Sequence, residues 1–372
     1  MPAPGPQFGF RRAVAATALC GTLGLTGLAA DAEPIDVMAI GDSITWGFVR
    51  DLTQPSPPST QLGGWRLPLG LSLGIGDPTD YDGLSQYGTG LLPTGKDPRF
   101  AATFQFVGNK GDNNPSTVLD ETGRVSQPAG GDDFGDGGSN NTDFLHEGYS
   151  GWVIDEVPYG PGDLTDGRQG VLENLVSNGG AIDPGSADVV MLSIGVNDLL
   201  RRSNNNLPGY TPDDDVDRLN NLIREIQADA PDATIIVSNI LPFAGSPFTF
   251  DATNTEVDAF NDDLLARYFG GAFDSNGLAA YDDLLIDDVF LLDVNTLFTD
   301  AIPTGGDITD LISTFVGSAG ADNLHPTLEG YAALGDIYAD AFVNLGIGIP
   351  EPSSGLLVVL GAGLAAARRR RA

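Results

Sequence analysis

Five short apolar runs punctuate the chain: "IDVMAI" (35–40), "TFQFVG" (103–108), "DVVMLSIG" (188–195), "ATIIVSNI" (233–240) and "VFLLDV" (289–294). They are rich in β-branched residues, largely continuous, and bounded by turn formers. That pattern predicts strands buried on both faces. Between them lie segments with helical spacing and clear start and stop signals. "TPDDDVDRLNNLIREIQADAP" offers Thr211 as an N-cap, Pro212 in the first turn and Pro231 as a stop. "NTEVDAFNDDLLARYF" and "TLEGYAALGDIYADAFVNLG" read the same way. Strands alternating with helices predict an α/β domain with a parallel sheet covered on both faces. Sites in such sheets lie beyond the carboxyl ends of the strands.

Residues 51–144 interrupt this alternation. They are rich in Gly, Pro, Asp and Ser, have little periodicity, and are too long for a plain loop. They read as an irregular insertion laid over the site within one domain spanning 33–349. No internal repeat is visible.

The two ends read as address labels. Arg11 and Arg12 precede an apolar stretch that closes on "ADA", the layout of a secretory signal peptide cleaved after Ala32. A retained anchor fits less well, because small residues and glycines dominate the stretch. The far end reads "IPEPSSGLLVVLGAGLAAARRRRA": Pro-Glu-Pro, a short apolar segment, then four arginines. The apolar part is shorter than the roughly 20 residues of a comfortable membrane span, and the arginines would hold it with the basic end in the cytoplasm. Residues 350–372 resemble the PEP-CTERM sorting signal of Gram-negative bacteria. The resemblance implies export to the envelope or beyond, processing by an exosortase, and only transient membrane contact through the tail.

Composition narrows the partners. The formal net charge is −33, with two lysines. Removing both ends takes away six arginines and two acidic residues, leaving about −37. Such a field repels nucleic acid and anionic membranes. Cys20 is the only cysteine and lies within the leader, so no disulfide is expected. The acidic runs "DPTDYDG" and "GDDFGDGG" suggest calcium ligands but lack the EF-hand spacing. The chemistry below needs neither metal nor cofactor.

The first strand ends on "AIGDSITWG". A serine where a parallel strand turns into a helix is exposed at the active edge of the sheet, and a helix N-terminus there favours developing negative charge. A hydroxyl needs a base, and the chain holds two histidines, His146 and His325. His325 lies in "ADNLHPTLEGY", with Asp322 three residues before it. A carboxylate at that spacing can reach the imidazole nitrogen facing away from the serine, the orienting role in Ser-His-Asp chemistry. An oxyanion hole needs preorganised donors. Asn197 in "SIGVNDLL" emerges at the same sheet edge as Ser43. Gly151 in "HEGYSGW" offers a backbone N–H, and Ser43 its own.

"GDSIT", the glycine of "SGW", "GVND" and "DNLHP" occur in that order. Together they resemble the SGNH (GDSL) hydrolase superfamily over most of the mature chain. The resemblance implies a flavodoxin-like three-layer α/β/α fold with a five-stranded parallel sheet. It implies Ser43, Asp322 and His325 as the catalytic triad, and Ser43, Gly151 and Asn197 as the oxyanion hole. "FVGNKGD", "HEGYSGWVIDEV", "SIGVNDL" and "DNLHPTLEGYAALGD" look most like the acetylxylan esterases of carbohydrate esterase family 3. That resemblance implies an acetylated polysaccharide as substrate, either xylan or the organism's own exopolysaccharide. A lipase or thioesterase of the same superfamily is the rival enzyme, and a surface glycan-binding protein the rival outside enzymes. Trp46, Trp65 and Trp152 read as either core residues or sugar-stacking platforms, with Trp46 and Trp152 placed beside the catalytic loops. His146 and Glu147 read as shaping the "HEGYSGW" loop or touching substrate.

Overall fold

The computed structural model describes residues 33–50, 59–61, 64–75, 91–108, 147–148, 152–155, 170–205, 212–245, 252–283, 288–312 and 323–349. The expected leader (1–32) and sorting tail (350–372) lie outside the described residues, as do Gly151, Asp322 and His146.

In chain order the elements begin with strand β1 (Ile35–Gly41), helix α1 (Ser43–Trp46) and strands β2 (Phe48–Arg50) and β3 (Ser59–Gln61). Next come α2 (Arg66–Leu73), β4 (Phe104–Val107), β5 (Glu147–Gly148) and β6 (Val189–Ser193). Then follow α3 (Val196–Asn205), α4 (Pro212–Asp229), β7 (Thr234–Ser238), α5 (Asn254–Tyr268) and β8 (Leu278–Ala280). The chain closes with β9 (Val289–Leu292), α6 (Val294–Asp300) and α7 (Leu328–Leu345). All five apolar runs form strands, and the three periodic segments form α4, α5 and α7.

The main sheet has the order β4-β1-β6-β7-β9-β8, with β5 also paired to β1. Every pairing is parallel except that of β8 with β9. Counted alone, the five long parallel strands run 2-1-3-4-5, the flavodoxin-like order. The five-stranded parallel core therefore stands, and it gains two short strands. β8 adds an antiparallel edge, and β5 pairs with Ile40 and Gly41 at the top of β1. Helices α2, α6 and α7 pack together, as do α3, α4 and α5, which gives the three layers.

The continuous apolar character of the strands follows from that cover. Val37, Met38, Ala39 and Ile40 are consecutive and all buried, as are Val189 to Leu192 and Ile235 to Val237. Along these central strands neither face meets water, so alternation is lost; the edge strand β4 keeps it, with Gln105 exposed between the buried Phe104 and Phe106.

The irregular insertion read over 51–144 is too broad. Besides the strand already read at 103–108, which forms β4 and pairs with β1 from Ile35↔Phe104 to Met38↔Val107, its described parts include α2, in which every residue is buried. "RLPLGLSL" escaped notice because it is enclosed on all sides, packs on α7, and carries a proline and a glycine, so it shows no helical period. β2 and β3 form a separate antiparallel pair.

Candidate active site

The switch point of this sheet lies between β1 and β6, where successive connections leave in opposite directions. Gly41 is opposite Ser193 across these strands, so the residues following each strand emerge side by side. Ser43 follows β1, and Asn197 follows β6.

Each residue of "GDS" has a local cause. A Cβ on Gly41 would sit 2.1 Å from the Ser193 carbonyl oxygen and 2.3 Å from Thr45 Oγ1, so no side chain fits. Asp42 is the N-cap of α1, and its carboxylate accepts the Ile44 N–H at 2.9 Å. Ser43 is then the first helical residue. α1 is a single turn, closed by Gly47 in the left-handed region at φ 85°. Four residues align too few peptides for the helix-dipole effect expected from the sequence; what they offer is local N–H groups. Behind α1 the buried Arg66 donates its Nε–H to the Thr45 carbonyl at 2.9 Å, so this turn is held from the protein side.

His325 Nε2 lies 2.7 Å from Ser43 Oγ, and both residues are buried. The loop carrying the histidine is pinned on two sides. Ala244 donates its N–H to the Asn323 carbonyl at 3.0 Å. On the other side Thr327 N–H bonds the Leu311 carbonyl at 2.8 Å, and Pro326 bridges to Ile312. Asn323 takes φ 44°, a left-handed position that asparagine tolerates better than most residues. Thr327 then caps α7 by accepting the Gly330 N–H. These bonds fix the imidazole's approach to Ser43 across 282 residues of chain. Asp322, the expected third member, falls outside the described residues.

Asp42 adds an unusual charge beside this pair. Burial pushes its carboxyl up to about 7, against the opposing pull of the Ile44 N–H, the His325 charge and its own backbone N–H. Farther below lies Tyr338 of α7, whose hydroxyl is 2.7 Å from Ser238 Oγ. Burial pushes that phenol to about 12, so it stays neutral.

Asn197 is the second residue of α3, which follows Gly195, whose φ of 120° only glycine adopts freely. Its Nδ2 donates to the Trp152 carbonyl at 2.9 Å. An amide nitrogen has two hydrogens in one plane, so fixing one fixes the direction of the other. The segment bearing Trp152 is itself bound to α3: the Ile154 N–H donates to the Asp198 carboxylate, 3.2 Å from Oδ2. Gly151, the neighbouring donor expected from the sequence, is outside the described residues.

The remaining candidates divide. Trp65 is core: it is fully buried and its ring lies 4.5 Å from Tyr338, which removes it as a sugar platform. Trp152 is half-buried against the core. Trp46 closes α1, and its side chain is not among those described. Glu147 is fully buried in β5, where it pairs with Ile40 at the top of β1. Among the described residues no group of three or more His, Cys, Asp or Glu side chains is arranged to hold a metal ion, and no helix is long and apolar enough to cross a membrane. The two acidic runs considered for calcium lie outside them.

Sequence reasoning missed Arg218 and its carboxylates. Arg218 of α4 bonds Asp198 at 3.0 Å and also pairs with Asp155 and Asp215. Burial works against its charge, but Asp198, Asp215 and Asp155 outweigh it and raise its affinity for the proton. The i, i+3 spacing of Asp215 and Arg218 was a visible signal. Nothing in the sequence linked them to residues 155 and 198.

The GDSL-like Lipase/Acylhydrolase family matches residues 128–333, which is more than half of the chain. The matched stretch contains Gly151, Asn197, Asp322 and His325 and begins after Ser43. No curated protein matches. Among solved structures, a family 3 carbohydrate esterase of Clostridium thermocellum is 20% identical, with 84% of this chain and 97% of that chain covered and a TM-score of 0.41. A carbohydrate esterase family 3 protein from Talaromyces cellulolyticus is 16% identical over 84% and 97%, with a TM-score of 0.40. The aryl esterase of M. smegmatis is 13% identical over 84% and 99%, at 0.41. Overlaps this loose carry no assignment. The family match does: the chain belongs to the GDSL-like lipase/acylhydrolase family and is a serine-type ester hydrolase.

Proposed function

We propose that the protein removes O-acetyl groups from a polysaccharide outside the cytoplasm. The observation that supports the chemistry best is the 2.7 Å contact between His325 Nε2 and Ser43 Oγ at the switch point of the sheet. Ser43 Oγ attacks the acetyl carbonyl carbon while its proton passes to His325 Nε2. The Ser43 and Gly151 N–H groups and the Asn197 amide hold the tetrahedral oxyanion. The carbon–oxygen bond to the sugar breaks, and Nε2 gives its proton to the departing hydroxyl. Water then attacks the acetyl-serine, losing a proton to Nε2. Acetate leaves, and Ser43 recovers its proton. In this reading Asp322 takes the orienting role, keeping the imidazole in one tautomer and steadying its charge.

The preference for acetyl over longer acyl groups rests on the catalytic loops. "GDSITWG", "HEGYSGW" and "DNLHPTLEG" bring glycines, polar groups and tryptophan, with no apolar run to line an acyl tunnel. Each buried methylene is worth roughly 0.8 kcal/mol where a site accommodates it. A lipase therefore gains in kcat/KM from acetate to octanoate esters. This protein is expected to be most active on the acetate ester, weaker on butyrate and close to inactive on octanoate. A rising series selects the lipase or thioesterase reading, and no turnover on any ester selects a glycan-binding protein. Acetate release from a panel of acetylated xylans and exopolysaccharides then separates the substrates. Export rests on the leader (1–32) and the exosortase-type tail (350–372); mass spectrometry of the native protein's termini tests both.

A further inference from the structure

The segment Trp152–Asp155 is bound to α3 and α4 by an unbroken run of polar contacts. Asn197 Nδ2 donates to the Trp152 carbonyl at 2.9 Å, and the Ile154 N–H donates to Asp198. Asp155 pairs with Arg218, which also holds Asp198 at 3.0 Å and Asp215. On its other flank the segment is tied to 170–172, through Val171 N–H to Val153 carbonyl at 2.9 Å and Leu172 N–H to Ile154 carbonyl at 3.0 Å. One guanidinium thus faces three carboxylates, and Asp198 and Asp215 are each buried.

We infer that Arg218 is a positioning residue for catalysis: by locking Trp152–Asp155 onto the first turn of α3, it fixes the direction in which the Asn197 amide points. This rests on the reading of Asn197 as an oxyanion donor. The physical reason is the sharing of one cation. Asp198 touches Arg218 on one side and the Ile154 N–H on the other, one residue beyond Asn197. Asp155 touches Arg218 from the segment itself. Removing the guanidinium leaves buried like charges facing each other. Asp155 and Asp198 then repel, and the Trp152 carbonyl moves relative to Asn197. Oxyanion donors lose their effect when they are misdirected by a fraction of an ångström, because their value lies in preorganisation.

A double-mutant cycle tests this, with an aryl acetate as substrate. N197A is expected to lower kcat about a hundredfold. R218M is expected to lower kcat tenfold or more with KM changed less than about threefold, and R218K to restore part of it. In the N197A background R218M is expected to cost less than about threefold, because the donor it positions is already gone. Asp155 is less buried than Asp198 or Asp215, its side chain 22% exposed, and D155N leaves Arg218 paired with both of them. It serves where R218M does not fold, and a several-fold loss of kcat is expected that likewise vanishes with N197A. Normal kcat in N197A overturns the reading of Asn197 and this inference with it. A loss in N197A, combined with fully multiplicative effects of R218M or D155N, overturns the inference alone and leaves Arg218 a structural residue.

Discussion

Asp42 has to cap α1 and, at the same time, lie buried beside a histidine that becomes charged in the reaction. Capping favours an ionised carboxylate, and burial opposes it; with the carboxyl pushed up to about 7, burial wins. The consequence for stability has a definite sign. Below about pH 4 the group is protonated both in the folded protein and in the unfolded chain. Between there and about 7 the folded protein keeps a proton that the unfolded chain has released, so raising the pH removes stability. Holding the proton until about 7 rather than releasing it in the ordinary carboxylate range corresponds to stability on the order of 4 kcal/mol lost by the time the pH passes 7. D42N keeps an oxygen to accept the Ile44 N–H but has nothing to titrate. Urea unfolding at pH 4.5 and 7.5 is expected to show a fall for the native protein that exceeds that of D42N by a few kcal/mol. Equal falls would show that Asp42 is not strained by burial. That Asp42 precedes the serine was plain in the sequence, and so was its capping residue type. That it lies beneath His325, which is 283 positions away, became visible only in the fold.

Among the elements, helices with a strong period and strands written as apolar runs were legible; those with neither signal were not. Asn254–Tyr268 carries its cap in the sequence, where Thr253 and Glu256 form a full capping box. The five strands were legible because a sheet covered on both faces needs unbroken apolar runs. α2 was not, because its burial on every side erases the amphipathic signal on which periodicity depends. β5 was not, because two residues are too few to carry any pattern. The placement of α2 has a measurable consequence. Leu71 is 1% exposed, and a decorative insertion would tolerate its truncation. As a core residue, Leu71→Ala is expected to cost about 2–5 kcal/mol of unfolding free energy. A cost below about 1 kcal/mol would return α2 to the insertion.

Across the whole molecule, acidity shapes how charges are used. Residues 33–349 hold 12 basic residues against 49 acidic ones. Single arginines therefore serve several carboxylates: Arg99 meets Asp97 and Asp340, Arg267 meets Asp263 and Asp217, and Arg218 meets three. The first two lie nearer solvent, where such pairs contribute little. Arg218 is mostly enclosed, which is why, of these three, it alone is assigned a part in the site. The approach of His325 to Ser43, and Asn197 at the same edge, were legible because "GDSIT" and "GVND" follow parallel strands and His325 precedes a helix, and a parallel sheet brings such ends to one edge. The claim that joins these scales is that Ser43, activated by His325, is the nucleophile. An organophosphonate ester mimics the tetrahedral intermediate and labels an activated serine covalently, and peptide mass spectrometry reads its position. A single adduct on Ser43 is expected, absent in S43A and formed at least a hundredfold more slowly in H325A. An adduct on another residue, or labelling of Ser43 at an unchanged rate in H325A, would contradict the account.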